Sequence, residues 1–342
     1  MGKIRHPFET PPENGTALEI ADGVLWMRLP LPMALDHVNV YALREGDGWV
    51  IVDTGFFSKK GTETWKALIE GPLQGGQIKR VLLTHHHPDH VGAVGWFMKE
   101  YGAELITSRT AYLLSRMLIL DEQETLPEEV MDYYWKHGIP KEVYEARAKS
   151  RPFNFADTVH PLPIGYTRIQ DGDQIQLGDR HWDVLRGDGH APEHLLLMSR
   201  DDDLLLAGDQ IIPGISSNIS IHPTEPMADP LGEWLESCER LREIVRDDQF
   251  ILPGHKLPFY GAKERLTQLL THHAGGLSRM VEMMDKPRLP IEFFDTLFMR
   301  KVSDLEFGFA FGETLAHLRH LEQTGKIKRE MHKDGQYRWL KI

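Results

Sequence analysis

The stretch Arg80-Val-Leu-Leu-Thr84-His85-His86-His87-Pro88-Asp89-His90-Val91 decides both how this chain folds and where its chemistry sits. Its first five residues form a short apolar run that reads as a buried strand, and a helix is expected from about Val91 to Tyr101. The polar residues between them therefore fall at the C-terminal end of a strand, where open α/β folds bind their ligands. Written as a spacing, the segment is His85-x-His87-x-Asp89-His90. Neutral imidazole and carboxylate suit zinc and other borderline divalent cations. Four such groups within six residues can converge on one place only if the backbone turns sharply.

Outward from this segment the chain alternates. Gly23 to Thr54 reads as strands and hairpins, with a Gly46-Asp47-Gly48 turn between two β-rich runs. A helix is expected from about Lys60 to Glu70 and a strand over Ala103 to Thr107. From about Ser108 to Ile164 the pattern changes to helical segments, which predicts an insertion that forms a lid or pocket wall. Its Tyr112, Met117, Tyr133, Tyr134 and Trp135 are candidate lining for an apolar pocket, although packing is the more common role of such residues. Strands return through DGDQIQLGDRHWDVLRGDGH and EHLLLMSRDDDLLLAGD, one more is expected near Gln249 to Leu252, and helix dominates Leu257 to Asp285. The division expected is a catalytic domain over 1–285 and a module over 286–342. In that module a helix near Gly312 to Glu322 precedes two β-rich runs around Lys333-Asp334-Gly335, an order that resembles a winged helix.

Composition narrows the function classes. The chain has 342 residues, 41% of them hydrophobic and 26% charged, which is an ordinary globular balance. No apolar run approaches the roughly 20 residues that a membrane span requires. The first residues lack the apolar core of a secretory signal. Cys238 is the single cysteine, so no internal disulfide can form and a reducing cytoplasm is the expected location. The formal net charge of -12 argues against a surface that coats nucleic acid. From His317 to Ile342, however, seven Lys or Arg residues stand against three acidic ones.

The His-rich segment resembles the hallmark motif of the metallo-β-lactamase superfamily, and the other motifs of that family occur in order. Val52-Asp53-Thr54-Gly55 is similar to its early structural motif and Gly189-His190-Ala-Pro-Glu-His194 to its third-histidine motif. Ala207-Gly208-Asp209 matches the bridging aspartate and Leu252-Pro-Gly-His255 the last histidine. An ordered set of this kind is far more specific than any one motif.

The resemblance implies an α/β fold: an αββα sandwich of two mixed sheets with helices outside. It assigns His85, His87 and His190 to one metal and Asp89, His90 and His255 to a second, with Asp209 bridging them. Asp53 is expected to brace a loop, and His194 either to lie near the site or to do the same. The implied cofactor is two zinc ions, with iron or manganese as alternatives. Such a pair lowers the pKa of a bridging water and polarises a carbonyl or phosphoryl oxygen. Asp89 would both ligate and shuttle the proton.

The expected function is hydrolysis of a small-molecule ester, thioester or lactone. Ser217, Asn218 and His222 in the loop after Asp209 are candidate substrate contacts. The leading alternative is phosphodiester cleavage, since endoribonucleases with winged-helix tails occur in the superfamily; Lys328 and Arg329 would then contact RNA. The modest charge excess favours a packing or homodimerisation role for the tail instead. A metal-binding regulatory protein without turnover is a third possibility, against which the complete ligand set argues.

Overall fold

The protein is described by a computed structural model covering residues 3–342. It divides into two compact units. Among the described residues the first comprises residues 3–122, 154–217 and 242–265. It contains a sheet of seven strands in sequential order: β1 (Leu18–Ala21), β2 (Val24–Pro30), β3 (His37–Glu45), β4 (Gly48–Val52), β5 (Gln77–Leu82), β6 (Glu104–Thr107) and β7 (Thr167–Arg168). Strands β1 to β4 form an antiparallel meander, and β4 to β7 run parallel. Parallel steps need crossovers, and the helices Lys59–Glu70 and Val94–Glu100 supply those from β4 to β5 and from β5 to β6. The second sheet orders β12 (Phe250–Pro253), β11 (Leu204–Gly208), β10 (His194–Ser199), β9 (Arg180–Gly187) and β8 (Gln174–Leu177). Only its β11–β12 pair is parallel.

Side-chain alternation along the strands builds the layers. Trp26, Tyr41, Leu43, Val50, Val52 and Leu82 of the first sheet share one core with Trp182, Val184, Leu195, Leu197, Leu206 and Leu252 of the second. The intervening residues Met27, Val40, Ala42, Ile51 and Val81 face the other way, onto Trp65, Leu68, Val94 and Phe97 of the crossover helices. A period of two thus gives each strand two apolar faces, one against the facing sheet and one against helices. The expected α/β sandwich is present.

Two local expectations are corrected. The helix expected over Val91 to Tyr101 is broken: a single turn, Pro88–Val91, precedes the helix Val94–Glu100. Gly92 explains the break. Its carbonyl accepts from His160 N–H and the following Ala93 N–H donates to Gly55 O, so these peptide groups leave the helical ladder. A Cβ at Gly92 would lie 2.3 Å from Gly55 O, closer than packed atoms allow. The segment expected to be helical from Ser108 to Ile164 holds three helices, Arg109–Leu120, Glu128–Lys136 and Lys141–Arg147, and beyond Arg147 only a 3-10 turn at Phe155–Asp157.

The second unit comprises residues 123–153, 218–241 and 266–342, so the tail from residue 286 shares a compact unit with part of the inserted segment. Its helix Phe307–Gln323 is followed by Gly325 in the left-handed region (φ 69°) and then by the antiparallel hairpin β13 (Ile327–Met331) and β14 (Tyr337–Lys341). Ile327 and Trp339 anchor the hairpin with almost no exposed surface. Tyr133 and Tyr134 pack within this unit beside His137 and Phe311, and Trp135 meets Tyr144 edge-on. Tyr112, in the first unit, stacks on Tyr166. Cys238 is buried. Among the described residues no helix is long and apolar enough to cross a membrane.

Candidate metal centre

Four strands of the first unit deliver the site from their C-terminal ends. His85 and His87 lie on the loop after β5, with Asp89 and His90 on the helical turn that follows; His190 comes after β9, Asp209 after β11 and His255 after β12. All seven residues expected from sequence come together. His85, His87 and His190 converge through one nitrogen each, as do the ligand atoms of Asp89, His90 and His255, and Asp209 groups with His85 and His90.

The distances carry chemical meaning. His87 Nδ1 lies 3.1 Å from His85 Nε2 and 3.0 Å from His190 Nε2. His255 Nε2 lies 3.3 Å from one oxygen of Asp89 and from Asp209 Oδ2, while His190 Nε2 is 3.4 Å from that same Asp209 atom. His90 Nε2 is 3.4 Å from Asp209 Oδ1. Ligands about 2.0–2.1 Å from a tetrahedral ion are spaced roughly 3.3 Å apart. Three ring nitrogens turned toward one point cannot all satisfy each other by hydrogen bonding, because a neutral imidazole offers one donor and one acceptor.

Two further observations fit cations here. His90 Nε2 and Asp209 Oδ1 are buried and have no hydrogen-bond partner, a costly state for polar atoms unless something else binds them. Gly254 leaves the room that Asp209 needs: a Cβ there would sit 2.1 Å from Asp209 Oδ1 and 2.9 Å from His90 Cε1.

The opposite nitrogens of the rings are fixed by the fold. His90 Nδ1 bonds Asp53 Oδ2 at 2.8 Å, and His255 Nδ1 bonds the carbonyl of His37 at 2.8 Å. Each bond presents Nε2 to the site, the arrangement by which outer partners orient metal-binding histidines. Asp53 sits in the left-handed region (φ 57°) just after β4 and accepts both the N–H and the hydroxyl of Thr84. It is thus the expected loop brace. His86 is in none of the converging groups. His194 is likewise outside them; its Nε2 accepts the backbone N–H of Asp209. Of the loop candidates, Ser217 donates to the Asp209 carbonyl and Asn218 donates to Glu313 Oε2.

Electrostatics divide the site. Burial, reinforced by neighbouring imidazoles, holds His85 and His87 well below the usual histidine range, so both stay neutral. Burial also opposes charging of His255, but the Asp209 and Asp89 carboxylates overcome it and push its pKa up to about 10. His90 is raised in the same way, against burial, by Asp209, Asp89 and Asp53. Asp209 is buried too, yet His255 and His90 hold its carboxyl well below the usual range. The buried carboxylates draw positive charge into this place.

Sequence reasoning missed Thr84, Gly254 and the His37 carbonyl as supports. The left-handed Asp53 and the Pro-Gly-His order were visible only as motif letters, and no spacing signal points to His37.

Comparison with known proteins gives the family. The family model described as the metallo-β-lactamase superfamily matches residues 33–255, and one described as a metallo-β-lactamase-like C-terminal domain matches residues 277–342. A crystal structure of a β-lactamase domain protein from Burkholderia ambifaria has 33% identity and a TM-score of 0.91, covering 99% of this chain and 98% of that one. Among curated proteins, a probable metallo-hydrolase of Bacillus subtilis is 25% identical across 90% of this chain and 94% of its own length. A human acyl-coenzyme A thioesterase, MBLAC2, is 29% identical across 74% of this chain and 85% of its own.

Proposed function

Because this chain belongs to the metallo-β-lactamase superfamily, we propose that it is a hydrolase of small acyl thioesters, with esters and lactones as chemically neighbouring substrates, that works with two zinc ions. The convergence of seven donors carries this reading: His85, His87 and His190 form one group and Asp89, His90 and His255 another, with Asp209 oxygens 3.3–3.4 Å from His90, His190 and His255. His85, His87 and His190 would hold one cation, Asp89, His90 and His255 the other, and Asp209 would serve both. Two bound cations supply a water of lowered pKa and a Lewis acid for the substrate carbonyl.

This chain's own residues do the rest. Asp53 and the His37 carbonyl keep His90 and His255 in the tautomer that offers Nε2. Asp89 is more exposed than Asp209, with 20% of its side chain accessible against 7%. That exposure supports a role for Asp89 in taking a proton from an entering water and passing it on. The thioester class is supported by the thioesterase relative and by a hydroxyacylglutathione hydrolase of Rhodopseudomonas palustris, 25% identical across 69% of this chain.

The ribonuclease reading is disfavoured by the tail itself. Lys328 pairs with Glu330 and Arg329 with Glu322, so the two residues expected to contact RNA already have acidic partners. The single buried cysteine fits a cytoplasmic site of action.

The test is metal analysis of the purified protein followed by a chelator-controlled screen of acyl-coenzyme A and acylglutathione thioesters, lactones and single-stranded RNA. Thioester turnover that vanishes with chelator and returns with zinc is the expected result. Cleavage of RNA alone would overturn the substrate class, and turnover indifferent to chelator would overturn the metal chemistry.

A further inference from the structure

Asp209 is held by its backbone as well as by its carboxylate. Its N–H donates to His194 Nε2 at 3.0 Å, and its carbonyl accepts from Ser217 Oγ. His194 has no exposed surface and Ser217 retains 5%. The His194 ring also stacks on His85, with centroids 4.7 Å apart and planes inclined by 29°. Because Nε2 is the acceptor, the proton of a neutral His194 must sit on Nδ1.

The neighbouring backbone makes such a grip necessary. Gly208, just before Asp209, is left-handed (φ +47°), and a Cβ there would lie 2.6 Å from the His194 ring. Gly254 passes against Asp209 from the adjacent strand end and donates its N–H to the Gly208 carbonyl at 2.7 Å. Two glycines give this corner little side-chain support of its own. Yet the Asp209 carboxylate must reach both donor sets, with Oδ1 near His90 and Oδ2 near His190 and His255. A small rotation about the 208–209 peptide would turn the carboxylate from a shared ligand into a ligand of one set.

We propose that His194 and Ser217 form a backbone clamp on Asp209 that fixes its carboxylate between the two donor sets and so secures uptake of the second cation. The inference rests on the two-cation reading above. His194 is a positioning residue: it has no exposed surface and acts through Asp209. The role is specific to a hydrogen-bond acceptor at the Nε2 position, which Gln can supply through its side-chain oxygen and Leu cannot.

The test titrates metal-free protein with zinc against a chromophoric chelator and records the visible spectrum of the cobalt-loaded form. Wild type should take up two equivalents. His194→Leu should weaken the second equivalent by about tenfold to a hundredfold, the range seen when outer partners of metal ligands are removed, and should change the cobalt spectrum. His194→Gln should stay near wild type in both, and Ser217→Ala should shift affinity in the direction of the Leu variant by less. Unchanged uptake of both equivalents by His194→Leu overturns the clamp. So does a His194→Gln variant as weak as the Leu variant, which assigns the residue to packing. If His194→Leu does not fold, Ser217→Ala decides, and wild-type affinity in that variant overturns the proposal. A wild type that binds fewer than two equivalents overturns the two-cation reading itself, whereas two equivalents in wild type beside an unaffected His194→Leu overturns the clamp alone.

Discussion

His90 Nδ1 lies 2.8 Å from Asp53 Oδ2, and both side chains are sealed from solvent. This bond joins the end of β4 to the turn after β5, and through Thr84 it also holds the loop that carries His85 and His87. Asp53→Asn tests it cleanly, because Asn tolerates the left-handed backbone while removing the carboxylate. The variant should lose about 1–3 kcal/mol of stability and about tenfold to a hundredfold in zinc affinity. Thermal melts and zinc titration measure the two effects; an unchanged zinc affinity would remove Asp53 from the support of the site.

Gly254→Ala should damage the site more than the fold. The new methyl would press on Asp209 Oδ1 and His90 Cε1. Displacing reacting groups by about 1 Å costs on the order of a hundredfold in rate. Thioester turnover should fall by that order while far-ultraviolet circular dichroism stays near wild type. A fully active Gly254→Ala protein would contradict the tight passage.

The two donor sets should be separable by stoichiometry. His190→Ala removes a ligand of the first set and His255→Ala a ligand of the second, so each protein should retain about one zinc per chain after dialysis, while Asp209→Ala should lower both affinities. Elemental analysis reads this directly. Two tightly bound equivalents in either histidine variant would contradict the assignment.

Stability should depend on pH through Glu313. Burial pushes its carboxyl from an ordinary value near 4.5 up to about 7, against the opposing bond from Asn218. The folded chain therefore holds this proton where the unfolded chain has released it, and stability falls as pH rises from about 4.5 through about 7. Glu313→Gln has no carboxyl to charge. Its melting temperature should match wild type below the window and exceed it above the window; an offset that is the same at all pH values would refute the shift.

Much of this was legible in the chain itself because its signals are local. His85 to His90 carries four candidate ligands within six residues, and the alternation in β2 to β4 reports a sheet with two apolar faces. The broken helix at Gly92 was not legible, since the cause is Gly55 and His160, groups 37 and 68 positions away. The supports of the site were hidden for the same reason. His37 meets His255 from 218 residues away, and Gly254 is a spacer only in relation to Asp209.

By itself the sequence determined which atoms are available: seven imidazole and carboxylate side chains at strand ends, on a pattern of apolar alternation that forces sheets to pack on sheets and helices. Only the tertiary structure decided how those atoms are aimed, because ring tautomers and carboxylate rotation are set by backbone groups distant in the chain, such as the His37 carbonyl and the Asp209 amide. It also decided that residues 123–153, 218–241 and 266–342 form one compact unit. Residue order fixes chemistry along a line, whereas hydrogen bonding and close packing act between whichever surfaces folding brings within a few ångströms of each other.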